Sequence, residues 1–403
     1  MTLGDRSNQI CGCCGADGDR REVGRADSRL MPVATSDAAY LRDVRVRREL
    51  CETCGVLEAR YDPEDALSRH FSREYDLDAS VQNNLVISGG RVLRKKSLID
   101  SRLDHWIESW NAPIESALEI ACGRGELISR LAEDHGHWRC AGVDPSPDLK
   151  PRAAAKPGAP RLVRSFFSAE LFEGEKFGAV IAHGFLNRSP TIRELKAIRS
   201  LCRDGALVSI EVLLLDTSPH CPAIWDHSYM FSKRSFMRWL EAVGFHALDM
   251  ADNASSWHII ARAGEARAAA DFRAEGEPER SLRLYERFES WWSDAAAGAA
   301  ALADACGGPV GLFGAGMFTA GLLSRAPDLG PEFIIDDVKA GGRLFGVPIC
   351  TIDEAPREAL TILFTRPAYA SAIAERLALA DLRFKIVPGR AGAPGAERKS
   401  DAA

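Results

Sequence analysis

Long hydrophobic runs are missing from this 403-residue chain. None reaches the ~18 apolar residues that a membrane-crossing helix needs, so no membrane partner is expected. The opening residues, Met1 to Asn8, are polar and lack the apolar centre of a secretory leader. An excess of positive charge is missing too: 51 Lys and Arg stand against 57 Asp and Glu, for a net charge of −6. That balance, with a pI near 5.9, argues against a broad electrostatic footprint for nucleic acid, although Arg42 to Arg48 is locally basic. Nor is there an even set of cysteines to form a disulfide framework. The 11 cysteines are an odd count without a leader, which favours reduced thiols and a cytoplasmic setting. Small-molecule substrates are the expected partners.

What is present is globular, with 46% hydrophobic and 27% charged residues. The length exceeds one ordinary core and implies roughly two to four units. Three units and a tail are read: residues 1–75 as a cysteine-bearing module, 76–262 as an α/β domain approached through a helical segment, 263–388 as a second α/β domain, and 389–403 as a polar tail of disordered composition. Leu103, Trp106, Ile107 and Trp110 recur at helical spacing. Strands are expected at Ala117–Ala121, Trp138–Val143, Ala179–Ala182 and Ala206–Leu215, alternating with helices as in a parallel sheet. Residues 263–280 read as a linker. Beyond it a helix carries Leu284, Phe288, Trp291 and Trp292, and strands are expected at Val310–Phe313, Phe333–Ile335, Ile349 and Ile362–Phe364.

Cys11 and Cys14 form one C-x-x-C pair and Cys51 and Cys54 another, each followed by a glycine, Gly15 or Gly55, that permits a tight turn. Four thiolates suit a closed tetrahedral zinc site, which leaves no open position for catalysis, so the metal is read as structural. The 36 residues between the pairs place them on separate knuckles, with Cys13 as a spare thiol. No recognition helix rich in Arg or Lys follows either pair, which disfavours a nucleic-acid-binding finger.

From Glu119 the chain reads Glu119-Ile120-Ala121-Cys122-Gly123-Arg124-Gly125, a strand running into a Gly-x-Gly turn and a helix from Glu126 to Asp134. Glycines let a ligand approach the backbone at the helix start. The next strand ends at Asp144, where a carboxylate can accept both ribose hydroxyls of a nucleoside. The E-x-x-C-G-x-G form, with Glu126 where a dinucleotide motif wants glycine or alanine, resembles the first motif of class I S-adenosylmethionine-dependent methyltransferases. Phe166 and Phe167 are candidates to flank the adenine, and core packing explains them about as well. A second glycine turn, Gly314-Ala315-Gly316, follows Val310–Phe313 and precedes an acidic strand end at Asp336. The glycine spacing is incomplete for a dinucleotide site.

Taken in order, these parts resemble the sugar C-methyltransferases that act on nucleotide-linked ketosugars. The resemblance implies a small zinc module, a class I Rossmann-like methyltransferase domain and a C-terminal Rossmann-like domain. It also implies S-adenosylmethionine, structural zinc and a nucleotide-linked keto-deoxysugar substrate, dTDP-linked in the leading version; the protein itself is expected to be a monomer or homodimer. The matching positions are Cys11, Cys14, Cys51 and Cys54 for zinc; Glu119, Cys122, Gly123, Gly125, Asp144 and Phe167 for the cofactor; and Gly314, Gly316 and Asp336 for the substrate. The family's active-site stretch corresponds to Ile224-Trp225-Asp226-His227-Ser228-Tyr229-Met230-Phe231-Ser232, where Ile224 replaces a tyrosine and Asp226 a glutamate. Methylation of a carbon beside a ketone needs a base, and His227 is the candidate. Asp226 orients it or holds a sugar hydroxyl, Tyr75 or Tyr229 donates to the enolate oxygen, and His220 lies in the same loop. The alternatives are a methyltransferase of oxygen, nitrogen or another carbon acid on the same frame, and a non-catalytic zinc-bearing nucleotide-binding protein.

Overall fold

Ser116–Ile120 (β6), the strand that opens the glycine motif, is buried at every position, as expected of a strand covered on both faces. The computed structural model describes residues 10–17, 20–27, 44–75, 85–88, 91–150, 158–217, 226–252, 256–266, 275–365 and 367–387. His220, Ile224, Trp225 and the 389–403 tail lie outside the described residues.

Two compact units emerge, with a boundary between Arg283 and Leu284 inside a 30-residue helix, Glu277–Cys306. In the first, Arg20–Asp27 (β1), Arg45–Cys51 (β2) and Leu57–Asp62 (β3) form a small sheet. Its fourth strand, Tyr229–Met230 (β4), comes from far along the chain, pairing antiparallel to β3 through Tyr229↔Glu58 and Met230↔Leu57. The sequence boundary at residue 75 is thus crossed by this sheet. After β3, a short helix Ala66–Arg69 (α1) widens into a π-helical turn, His70–Glu74, a departure frequent at functional sites. A hairpin, Leu85–Ser88 with Arg91–Arg94, and a helix, Lys95–Glu108 (α2), precede β6.

The larger sheet has seven strands. Arg139–Asp144 (β7) and Arg161–Arg164 (β8) lie on one side of β6, and Phe177–His183 (β9) and Cys202–Val212 (β10) on the other. All five are parallel. Phe245–Asp252 (β12) and Trp257–Ala263 (β13) complete the order β12-β13-β10-β9-β6-β7-β8, with β13 antiparallel to both neighbours. The helix Glu126–Asp134 (α3) forms over the expected residues, burying Leu127, Ile128, Leu131 and Ala132 on one face. β10 begins before the expected Ala206, directly after helix Thr191–Leu201 (α4). It ends at Val212 rather than Leu215, because Leu213 N donates to Asn187 Oδ1 at 2.8 Å and Leu215 N to Phe231 O at 3.0 Å, outside the ladder.

The second unit holds a six-stranded sheet. Val310–Phe313 (β14), Phe333–Ile335 (β15), Val347–Cys350 (β17), Leu360–Leu363 (β18) and Arg383–Ile386 (β19) are parallel, and the short strand Arg343–Leu344 (β16) is an antiparallel edge. Trp291, Trp292, Phe318 and Phe364 pack together in its core. Gly321 is required there, because an added Cβ would fall 2.5 Å from Trp292 Cη2. None of the helices among the described residues is long and apolar enough to cross a membrane.

Candidate active site and metal centre

The two cysteine pairs fold as matching knuckles. Gly15 N donates to Cys11 O at 2.8 Å and Gly55 N to Cys51 O at 2.9 Å, and both glycines take φ of 73°, a left-handed value that a side chain would strain. The four sulfurs, Cys11, Cys14, Cys51 and Cys54, lie within 4.8 Å of one another, with Cys11–Cys54 and Cys14–Cys51 both at 3.9 Å. Tetrahedral zinc–thiolate bonds of ~2.3 Å place sulfurs ~3.8 Å apart, so the donor set fits a metal ion. Glu58 ties this centre to the sheet: it accepts from Gly12 N at 3.2 Å, from Arg20 Nη2 at 2.5 Å and from the Tyr229 hydroxyl at 3.4 Å.

The cofactor loop is built from positive-φ residues: Ala121 at 57°, Gly123 at 57° and Gly125 at 76°. At Gly125 an added Cβ would also fall 2.9 Å from Leu162 Cδ2. Glu119 is buried, and its Oε2 accepts from Ile128 N at 3.0 Å in the first turn of α3, so it fastens the helix start to β6. Asp144 Oδ2 accepts from Gly123 N at 2.9 Å and Oδ1 from Ser146 N at 2.8 Å. Each oxygen keeps a lone pair for a further donor. Burial raises the Asp144 pKa, opposed by those two N–H groups and by the charge of Arg188. A crowded glycine turn beside a two-sided acceptor fits an adenosyl ligand. Cys122 is packed beneath the loop and burial, then the charges of Glu119 and Asp144, pushes its thiol pKa upward. Phe167 stands edge-on to Phe185 with ring centroids 5.7 Å apart, and Phe166 is exposed.

Asp226 and His227 are both buried, and the structure joins them to residues with no motif of their own. Arg188, in the loop between β9 and α4, donates from Nε to Asp226 Oδ2 at 3.0 Å and from Nη1 to Gly184 O. Its Cζ lies 5.7 Å from the Phe71 ring centroid. Tyr75 is edge-on to His70 at 5.4 Å and contributes to the electrostatics of Arg188. Burial opposes ionisation of Asp226, yet the charges of Arg188, His227 and His70 together hold its carboxyl below the ordinary range. Burial lowers His70 to a pKa of about 4, with Asp226 opposing and Arg188 assisting. Arg48 Nη1 donates to His227 O at 2.6 Å and fixes the backbone there. Tyr229 is the member that the structure turns away: its hydroxyl meets Glu58 in the small sheet, and burial, then Glu58, raises its pKa. Tyr75, by contrast, belongs to the cluster. Arg188 was not singled out in the sequence; its place just after a parallel strand, where α/β sheets bind ligands, was the available signal.

In the second unit Asp336 repeats the arrangement of Asp144. Its Oδ2 accepts from Ala315 N at 2.9 Å and its Oδ1 from Val338 N at 3.1 Å. Gly314 takes φ of 83°, and a Cβ added at Gly314 or Gly316 would meet nothing within 4 Å. Lys339 Nζ caps Ala315 O at 2.6 Å, and burial, opposed by Asp336, lowers its pKa.

Residues 89–249 match the family model of a methyltransferase domain. Similar solved structures include an O-methyltransferase family protein from Burkholderia thailandensis, 13% identical, covering 43% of this chain and 60% of that one, with a TM-score of 0.31. Another is the magnesium protoporphyrin IX methyltransferase of Synechocystis PCC 6803 with bound SAH, 14% identical over 42% of this chain and 83% of that one, at a TM-score of 0.33. The N-methyltransferase NodS of Bradyrhizobium japonicum WM9 is 15% identical over 42% of this chain and 97% of its own, at a TM-score of 0.33. Comparison with curated proteins finds no match.

Proposed function

We propose, for a chain whose central segment is an S-adenosylmethionine-dependent methyltransferase domain, that the methyl group goes to a carbon beside the ketone of a nucleotide-linked deoxysugar. The observation that carries this reading is the group of buried His227, Asp226 and His70 with half-buried Arg188 and Tyr75, whose Arg188 influences both Asp226 and the cofactor-loop acid Asp144. Glu119, Gly123, Gly125 and Asp144 hold the cofactor, which when bound supplies an electrophilic methyl group on a sulfonium sulfur. His227 takes the proton from the carbon beside the ketone. Asp226, kept ionised chiefly by the Arg188 guanidinium, steadies the imidazolium that results. Tyr75 contributes a hydroxyl to the same cluster.

Cys11, Cys14, Cys51 and Cys54 bind structural zinc in this account, which holds β3 and therefore β4 and the Asp226-His227 segment in place. Gly314, Gly316 and Asp336 are the proposed contacts for the substrate's nucleotide: the open turn leaves room for a ligand, while Asp336 shapes it.

The experiment is methyl transfer from carbon-13-labelled S-adenosylmethionine to a panel of nucleotide ketosugars, followed by NMR of the product. Carbon-attached and oxygen-attached methyl groups resonate in separate regions. A label on carbon supports the reading, and a label on oxygen or nitrogen supports a different acceptor on the same frame and overturns it.

A further inference from the structure

The loop that carries Arg188 is fastened by hydrogen bonds that need no ligand. Asn187 Nδ2 donates to Leu213 O and to Tyr229 O, both at 3.0 Å, and Asn187 O accepts from Tyr229 N at 2.9 Å. Arg188 N donates to Phe185 O at 2.9 Å. The guanidinium is therefore placed by the fold, with Nε on Asp226, Nη1 on Gly184 and one face toward Phe71. Among the described residues Nη2 has no hydrogen-bond partner, which leaves two donors of this planar fork available.

Asp226 is incomplete in the complementary sense. Its side chain has no exposure, and Oδ2 is taken by Arg188, yet Oδ1 is buried without a hydrogen-bond partner among the described residues. A charged oxygen left so costs on the order of a few kcal/mol, which a fold tolerates where a ligand supplies the missing donor. An open donor edge and an unmet acceptor thus stand on the two halves of one ion pair, beside His227.

We propose that Arg188 and Asp226 form the recognition pair for a vicinal hydroxy-ketone: Nη2 of Arg188 donates to the ketone oxygen, and Oδ1 of Asp226 accepts from the adjacent hydroxyl. The proposal rests on the carbon-methylation reading above. As enolisation proceeds, the C–H bond beside the ketone breaks and its proton passes to the His227 imidazole. The released pair forms a carbon–carbon double bond, and the carbonyl π pair moves onto oxygen. That oxygen gains a full negative charge, which Arg188 meets as a preorganised donor. An arginine here supplies the electrophile in a chain that has Ile224 where the sugar C-methyltransferases it resembles carry a tyrosine.

The test is hydrogen–deuterium exchange in the full chain, without methyl donor, at the carbon beside the ketone of dTDP-4-keto-6-deoxyglucose, read by proton NMR. Calorimetric binding of S-adenosylhomocysteine reports the integrity of each variant. Arg188→Gln is expected to slow exchange by roughly 100- to 1,000-fold, the usual effect of losing an oxyanion donor. Arg188→Lys is expected to recover part of that loss, and both are expected to bind S-adenosylhomocysteine within about threefold of wild type. Exchange by Arg188→Gln within about threefold of wild type overturns the proposal and leaves carbon methylation standing. Loss of S-adenosylhomocysteine binding in both variants also overturns it, marking Arg188 as a support of the cofactor site. A wild type that binds S-adenosylhomocysteine but exchanges no deuterium overturns the carbon-methylation reading, and this proposal with it.

Discussion

His258, on β13, should make the first unit lose stability in mild acid, and the size of the loss follows from its surroundings. The residue is fully buried. Its Nε2 shares a 2.8 Å hydrogen bond with Ser209 Oγ, which also reaches His183 Nε2 at 2.8 Å. Nδ1 is buried with no acceptor among the described residues, so a second proton on this ring would have nowhere to donate. Burial foremost, then the charges of His183 and Arg102, lowers its pKa to about 3, with Glu211 and Asp249 opposing. The folded value lies below the unfolded one of ~6.5, so the unfolded chain binds more protons in between. The stability from keeping this ring neutral is complete above about pH 6.5 and is lost as the pH falls toward the folded value. Between about pH 7 and about pH 5 the unfolded ring charges almost completely while the folded one stays neutral, a cost of ~2 kcal/mol. In His258→Gln that contribution vanishes, while other groups titrate in both proteins alike. The assay is amide exchange of peptides covering residues 202–212 and 257–263, corrected for the intrinsic pH dependence of exchange. Wild-type protection should fall roughly 25-fold more than that of the variant over this range. An equal fall in both would refute the buried-neutral argument.

Two further predictions concern the small sheet. Stripping the metal with a chelator, or substituting Cys51→Ser, should release about one zinc per chain and increase exchange across residues 45–62. It should also depress methyl transfer, because β4 belongs to that sheet and leads directly from Asp226 and His227; undiminished activity in the metal-free chain would contradict that coupling. Tyr229→Phe should destabilise by about 1 kcal/mol, as the loss of one hydrogen bond to Glu58, and leave the rate of methyl transfer within about twofold. A large fall in rate with unchanged stability would restore the tyrosine to the chemistry.

The parts legible in the sequence are those in which neighbours along the chain decide the structure. The glycine loop, helix Glu126–Asp134 and the acidic strand end at Asp144 form one local unit, and periodicity, glycine and a carboxylate at fixed offsets reveal it. The cysteine pairs are legible for the same reason, since each knuckle closes through hydrogen bonds four and five residues apart. Pairing of β4 with β3 joins residues about 170 apart, and a two-residue strand has no period to detect. That pairing decides the fate of Tyr229, which sequence proximity to His227 had placed in the site. Arg188 was hidden likewise: its importance lies in the 38-residue separation from Asp226, closed only by the fold.

The central claim, that the loop from Glu119 to Asp144 holds an adenosyl cofactor, is tested most directly by calorimetric titration of S-adenosylhomocysteine into the full chain and into Asp144→Ala. The account predicts one site per chain, and a loss of roughly 10- to 100-fold in affinity when the carboxylate is removed, as for hydrogen bonds to a charged group. No binding by folded wild type, or equal affinity in the two proteins, would contradict it.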